Sequence, residues 1–157
     1  ATARAAVGPH LAGLERLLRA VVAGGPAPVR VAVEHGCGEA AARVAPAELT
    51  QIVLNLAVNA RDAMPAGGEL VVRTAAVAVG PEAGGGLPAG DWVAVGVSDT
   101  GRGLPPAVRE RLADPAALAR ADAGGLGLMT VADVLLRRGG HLRAAPARTR
   151  FLSVEPL

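Results

Sequence analysis

Leu11, Leu14, Leu17, Leu18, Val21 and Val22 recur at helical spacing through residues 9–23, PHLAGLERLLRAVVA, and Pro9 suits a first helical turn. The chain therefore opens on an amphipathic helix. GGPAP breaks it, and VRVAVEH then alternates Val29, Val31 and Val33 against Arg30, Ala32 and Glu34, the pattern of a half-buried strand. Pro46 starts a second helix, which PAGG at 65–68 ends. ELVVRTAAVAV and DWVAVGVSD are the next two strands, joined as a hairpin by the glycine-rich GPEAGGGLPAG. PPAVRERLAD predicts a short helix, PAALARADAGG an irregular stretch, and LGLMTVADVLLRR a longer helix. GHLRAA and TRFLSVEPL close the chain as strands.

The order helix, strand, helix, two strands, short helix, helix, two strands predicts an α+β fold. It is a two-layer α/β sandwich whose mixed, mostly antiparallel sheet is covered on one face by helices. No internal repeat interrupts it.

The second helix carries an anomaly. QIVLNLAVNARDAM, residues 51–64, places two asparagines, poor helix formers, in its middle. Four residues turn an α-helix by about 400°, so Asn55 and Asn59 lie one above the other, roughly 40° apart. On that wheel Leu49, Ile52, Val53, Leu56, Ala60 and Ala63 form the apolar stripe, and Asn55, Asn59 and Asp62 line one border of it. Taken alone, this polar edge fits amides that satisfy backbone or water as well as it fits a ligand site.

Composition narrows the chemistry. A chain of 157 residues that is 51% hydrophobic fits one domain with a core, and with Trp92 and Phe151 its only aromatics, that core is aliphatic. All 16 basic residues are arginine, so the Gly-Lys-Ser/Thr element of a Walker-type phosphate loop is absent. The net charge of +2 is small and the arginines are dispersed, which gives nucleic-acid binding no support. A single cysteine, Cys37, excludes an internal disulfide and a cysteine-rich metal site. No apolar run reaches membrane-spanning length and the start lacks a signal pattern, so a cytoplasmic piece without membrane contact is expected, whether or not its parent is membrane-anchored.

Two glycine elements follow the third strand. DTGRGLP at 99–105 sets a carboxylate at a strand end, followed by Gly101 and Gly103, where backbone can approach a flat ligand closely. AGGLGL at 123–128 runs into a helix, whose free N–H groups favour an anion. Each by itself also fits an ordinary turn or cap.

In this order QIVLNLAVNARDAM, DTGRG and GGLGL resemble the N, G1 and G2 boxes of the histidine-kinase catalytic domain, in the ATPase superfamily (Bergerat fold) that includes gyrase and a heat-shock chaperone. The resemblance implies one ATP-binding domain over residues 1–157, with an opening helix and linker over 1–25 and the three boxes within 46–145. By that resemblance Asn59 ligates the Mg2+ on the ATP phosphates, and Asn55 is a second polar position beside them. A hard cation suits an amide oxygen. Asp62 is a supporting partner. Asp99 accepts a hydrogen bond from the adenine amino group, Gly101 and Gly103 make room for the base, and Gly125, Leu126 and Gly127 run close to the phosphates. His141 is read as structural.

The chain departs from the family in the lid before the second glycine box. Residues 113–120 read ADPAALAR where relatives read like FEPFFTTK, so Pro115 and a basic Arg120 are kept and the phenylalanines are gone. Arg120 suits a terminal phosphate as well as solvent. The box's Ser/Thr is Gly124, and the glycine before it is Ala123. None of His10, His35 or His141 lies in a phosphoacceptor helix motif, so the resemblance implies a phosphoacceptor histidine domain outside this chain and, indirectly, a response regulator. Two readings stay open: a domain that donates phosphoryl to that histidine, or an interaction or phosphotransfer module that keeps the fold and binds nucleotide weakly or not at all. The gyrase type of ATPase places a glutamate base where Asn55 stands, which argues against autonomous hydrolysis.

Overall fold

In the computed structural model, residues 3–81, 89–101, 128–144 and 149–154 are described. Among them the order is β1 (Ala5–Ala6), α1 (Val7–Ala23), β2 (Val29–Glu34), β3 (Ala41–Ala42), α2 (Pro46–Asp62), β4 (Gly68–Val79), β5 (Gly90–Asp99), α3 (Leu128–Arg138), β6 (His141–Ala144) and β7 (Thr149–Val154). The predicted short helix, the hairpin tip and the lid lie outside the described residues.

A five-stranded sheet runs in the order β2-β4-β5-β7-β6; β2 and β4 are parallel and the other neighbours antiparallel. Cross-strand partners share a face, so the pairings of Val33 with Val72, Val72 with Val97 and Leu70 with Asp99 put these side chains on one side. That is the helix side: Leu70, Val72, Val93, Val95 and Val97 share one core with Leu11, Leu18, Leu49, Ile52 and Leu56 of α1 and α2 and with Val131 and Leu135 of α3. On the other side the β2–β4 ladder carries charge, Arg30 with Glu69 at 3.8 Å and Glu34 with Arg73.

In α1 the predicted stripe holds for Leu11, Leu14, Leu18 and Val22, whereas Leu17 is exposed and Val21 half-buried, each about 100° round the helix from the next buried residue. Every member of the α2 apolar stripe, Leu49, Ile52, Val53, Leu56, Ala60 and Ala63, is buried. Helix α1 begins at Val7, two residues earlier than Pro9 suggested, because the Val7 N–H is drawn to the Ala40 carbonyl at 3.1 Å while Ala5 and Ala6 pair with Ala42 and Ala41. Two-residue alanine strands have no alternation to read, and the sequence did not predict this small second sheet.

Local chemistry sets the ends of α2. At its start the Glu48 carboxylate accepts the Ala45 N–H at 2.9 Å, half of a capping box. The reciprocal bond is missing because the alanine methyl offers no acceptor. At its end the Ala63 N–H reaches the Asn59 carbonyl at 3.0 Å, and the chain turns through Gly67 at φ +88°, where a side chain would be strained. Strand β4 starts at the next residue. Among the described residues no helix is long and apolar enough to cross a membrane.

Candidate nucleotide site

Strand β4 leaves the end of α2, and β5 returns antiparallel to it, so the last residue of β5, Asp99, comes back opposite Leu70. The C-terminal end of α2 and the DTG segment therefore meet. The fit is close: a Cβ on Gly101 would lie 2.3 Å from the Ala63 carbonyl oxygen, and one on Gly68 would lie 2.3 Å from Thr100 Oγ1. Thr100 Oγ1 accepts the Glu69 N–H at 3.1 Å and donates to Met64 Sδ at 3.6 Å, pinning the segment to β4 and to the residue after Ala63.

Asp99 is 3% exposed, on the helix-covered face, and its Oδ1 accepts the Gly101 N–H at 2.8 Å. This bond folds the chain back over the carboxylate and fixes its plane. Burial of a carboxylate this deep requires hydrogen-bonded compensation.

Asn59 sits one turn before Ala63 on α2 and is 5% exposed, whereas Asn55, one turn earlier, is half-buried. The 40° between them moves Asn59 towards the core. Its Nδ2 is buried without a hydrogen-bond partner among the described residues. An unpaired buried amide costs about 1–3 kcal/mol, so this position is expensive to keep unless something else binds it. Rotation of the amide by about 180° offers Oδ1 in place of Nδ2, so the position serves a cation as an oxygen ligand. Among the described residues no cluster of three or more His, Cys, Asp or Glu side chains competes as a metal site.

The other expected residues divide. Asp62 is exposed and pairs with Arg61 Nε at 3.2 Å. Gly103, Arg120, Gly125, Leu126 and Gly127 lie outside the described residues, and the side chain of His141 is likewise not described.

Sequence reasoning missed two supports. Thr100 stands in the sequence only as the middle of a glycine element, though its hydroxyl joins three segments. Arg61 sends Nη1 to the Val21 carbonyl at 3.1 Å, and its side chain fills the space beside Gly25, where a Cβ would lie 2.7 Å from Arg61 Cγ. It ties the end of α1 to the end of α2; its place one residue before Asp62 on the helix was the available signal. A separate concavity of about 420 Å³, lined by Ala40, Val77, Asp91 and Trp92 among others, lies at the far end of the β4–β5 hairpin. It is some seven residues, roughly 23 Å, from Asp99 and takes no part in this site.

Comparison with known proteins bears on the family and the fold. Residues 44–155 match the family model described as histidine kinase-, DNA gyrase B-, and HSP90-like ATPase. The chain is 33% identical over 119 residues to the sensor kinase CckA of Brucella abortus (strain 2308), covering 73% of this chain and 13% of that protein. It is 35% identical over 118 residues to the sensory histidine kinase/phosphatase NtrB of Azospirillum brasilense, covering 70% and 29%. The chain thus spans under a third of the length of either relative. Among solved structures, the catalytic domain of histidine kinase ThkA superposes with a TM-score of 0.66 at 13% identity, over 99% of this chain and 95% of that one. Full-length ShkA in complex with AMPPNP gives 0.66 at 22% identity, over 99% and 31%. The family match, the relatives and the shared fold converge: the chain belongs to the histidine kinase-, DNA gyrase B- and HSP90-like ATPase family, as an ATPase domain of the histidine-kinase type.

Proposed function

We propose that this chain binds ATP with Mg2+ and donates the terminal phosphoryl group to a histidine on a separate phosphoacceptor element, which passes it to a response regulator. The observation that carries the reading is the buried Nδ2 of Asn59, without a hydrogen-bond partner among the described residues, held on the same helix end that packs against the Asp99–Gly101 segment. In this reading Asp99 takes the adenine amino group and Gly101 lies flat beneath the base. Asn59 supplies an oxygen to Mg2+, with Asn55 and Asp62 beside it. The bound metal offsets charge on the phosphates. The protein's own contribution is positioning and electrostatics, and no side chain here acts as a nucleophile. Gly103, Arg120, Gly125, Leu126 and Gly127 complete the proposed site.

Calorimetric titration of ATP, with and without Mg2+, into the wild type and Asn59→Ala tests the reading. A magnesium-dependent gain in wild type that the variant loses is expected. An equal gain in both removes Asn59 as the ligand.

The lid sequence favours a second reading, a module that keeps the fold and binds nucleotide weakly or not at all. Each fully buried large apolar side chain contributes about 1.5–3 kcal/mol, and the alanines at 113, 116 and 117 forfeit most of what phenylalanines there would supply. If neither the wild type nor a variant with all three changed to phenylalanine binds millimolar ATP, this second reading holds.

A further inference from the structure

Strand β2 is an edge of the sheet: it pairs with β4 on one side, and no described strand pairs with it on the other. The Gly68 N–H donates to the Pro28 carbonyl at 3.2 Å, so in this parallel ladder residues 28, 30, 32 and 34 direct their backbone groups at β4. Val29, Val31 and Val33 direct theirs outward. The contact of Arg19 Nη2 with the Val31 carbonyl, at 3.4 Å, agrees with that direction and is a weak cap from an exposed side chain.

Edge strands are normally blunted by a proline, a bulge or unbalanced charge. Val29–Glu34 contains no proline, and its charges read the same in reverse with opposite sign: Arg30, Val31, Ala32, Val33, Glu34. We propose that β2 pairs antiparallel with β2 of a second copy of this chain about a two-fold axis at Ala32, joining two five-stranded sheets into one.

In that register Val31 faces Val33 of the other copy, and the two residues exchange N–H and C=O bonds at both symmetric positions. Arg30 faces Glu34 of the other copy, twice, and the two small Ala32 methyls meet at the axis. Registers centred on Arg30 or Glu34 oppose like charges, and those centred on Val31 or Val33 set both charges opposite uncharged residues, so only the register centred on Ala32 pairs opposite charges. The arginine has room to turn: Arg30 is 82% exposed and only loosely paired with Glu69, and Glu34 is 57% exposed. The Val33 N–H of the incoming copy replaces Arg19 on the Val31 carbonyl. Pairing of one six-residue strand predicts weak, reversible dimerisation at roughly high micromolar concentration.

Sedimentation equilibrium of the whole chain across that range tests this. Arg30→Glu and Glu34→Arg should each weaken self-association roughly tenfold, because two attractive pairs become repulsive. An equimolar mixture of the two variants should dimerise again, since the acidic side chains at positions 30 and 34 of one then face arginines of the other. Val33→Pro removes an outward N–H that β4 does not use, and should give a monomer with the wild-type circular dichroism. A wild type that stays monomeric at millimolar concentration overturns the proposal. So does a mixture that fails to restore the dimer, and so does a folded Val33→Pro that dimerises like the wild type. If Val33→Pro does not fold, the charge-exchange mixture decides.

Discussion

Glu48, in the first turn of α2, and Arg138, in the last turn of α3, meet at 2.9 Å, with Arg137 on the other carboxylate oxygen at 3.1 Å. Glu48 thus holds three partners, because the same carboxylate caps the Ala45 N–H. Partial burial pushes its carboxyl up, but the Ala45 N–H and the guanidinium groups of Arg138 and Arg137 outweigh that and leave it below the ordinary carboxylate value.

A pH dependence follows from the sign of that shift. A carboxyl depressed in the folded state stabilises fully above its unfolded value, and the contribution is lost as pH falls through the folded value. Glu48→Gln should therefore lower the melting temperature at neutral pH, by an amount corresponding to about 1 kcal/mol. The gap to wild type should narrow as pH drops below the ordinary carboxylate range. Thermal melts of both proteins across that range check it; a gap that does not change with pH contradicts the ionic role.

The buried carboxylate should govern nucleotide affinity. Asp99→Asn exchanges a charged acceptor for an amide that must choose its orientation, a loss of about 1.5–3 kcal/mol. ATP affinity should fall roughly ten- to a hundredfold by the free-energy arithmetic of binding. Equal binding by the folded wild type and variant would exclude Asp99 from the adenine pocket.

For Asn59 the effects on stability and on binding should separate. Removing the Asn59 Nδ2, buried with no partner among the described residues, relieves a cost of about 1–3 kcal/mol while leaving a small cavity. Asn59→Ala should therefore melt at or above the wild-type temperature without ligand, yet lose the magnesium-dependent part of ATP binding and keep adenosine binding. A marked destabilisation of the ligand-free protein would mean that the amide is structurally satisfied.

Gly101→Ala should lower stability and binding together. Its Cβ would meet the Ala63 carbonyl at 2.3 Å, a backbone group with no rotamer to yield. The segment must lift from α2 at a cost of about 1–3 kcal/mol, carrying the Asp99 turn with it. Denaturant unfolding and ATP titration should both report the loss, whereas a wild-type stability curve would show that the contact relaxes easily.

The elements were legible in the chain before any packing was known. Leucines at helical spacing, valine alternation and Pro-Gly punctuation mark α1, α2, β2, β4 and β5 to within a few residues, because periodicity records which side of each element meets a core. The order of the three boxes was equally legible, since each motif is contiguous. Long-range packing settled which elements are neighbours: that β7 lies between β5 and β6, that β2 runs parallel to β4 at an edge, and that Ala5 and Ala6 find Ala42 and Ala41. It also separated two asparagines that look equivalent on a helical wheel, burying Asn59 and leaving Asn55 at the margin. The reason is that a one-dimensional pattern states what a face requires, while the partner that meets the requirement is set by contacts between residues far apart in the chain. Glu48 with Arg138 and Gly101 with Ala63 are contacts of that kind, and no local signal announces them.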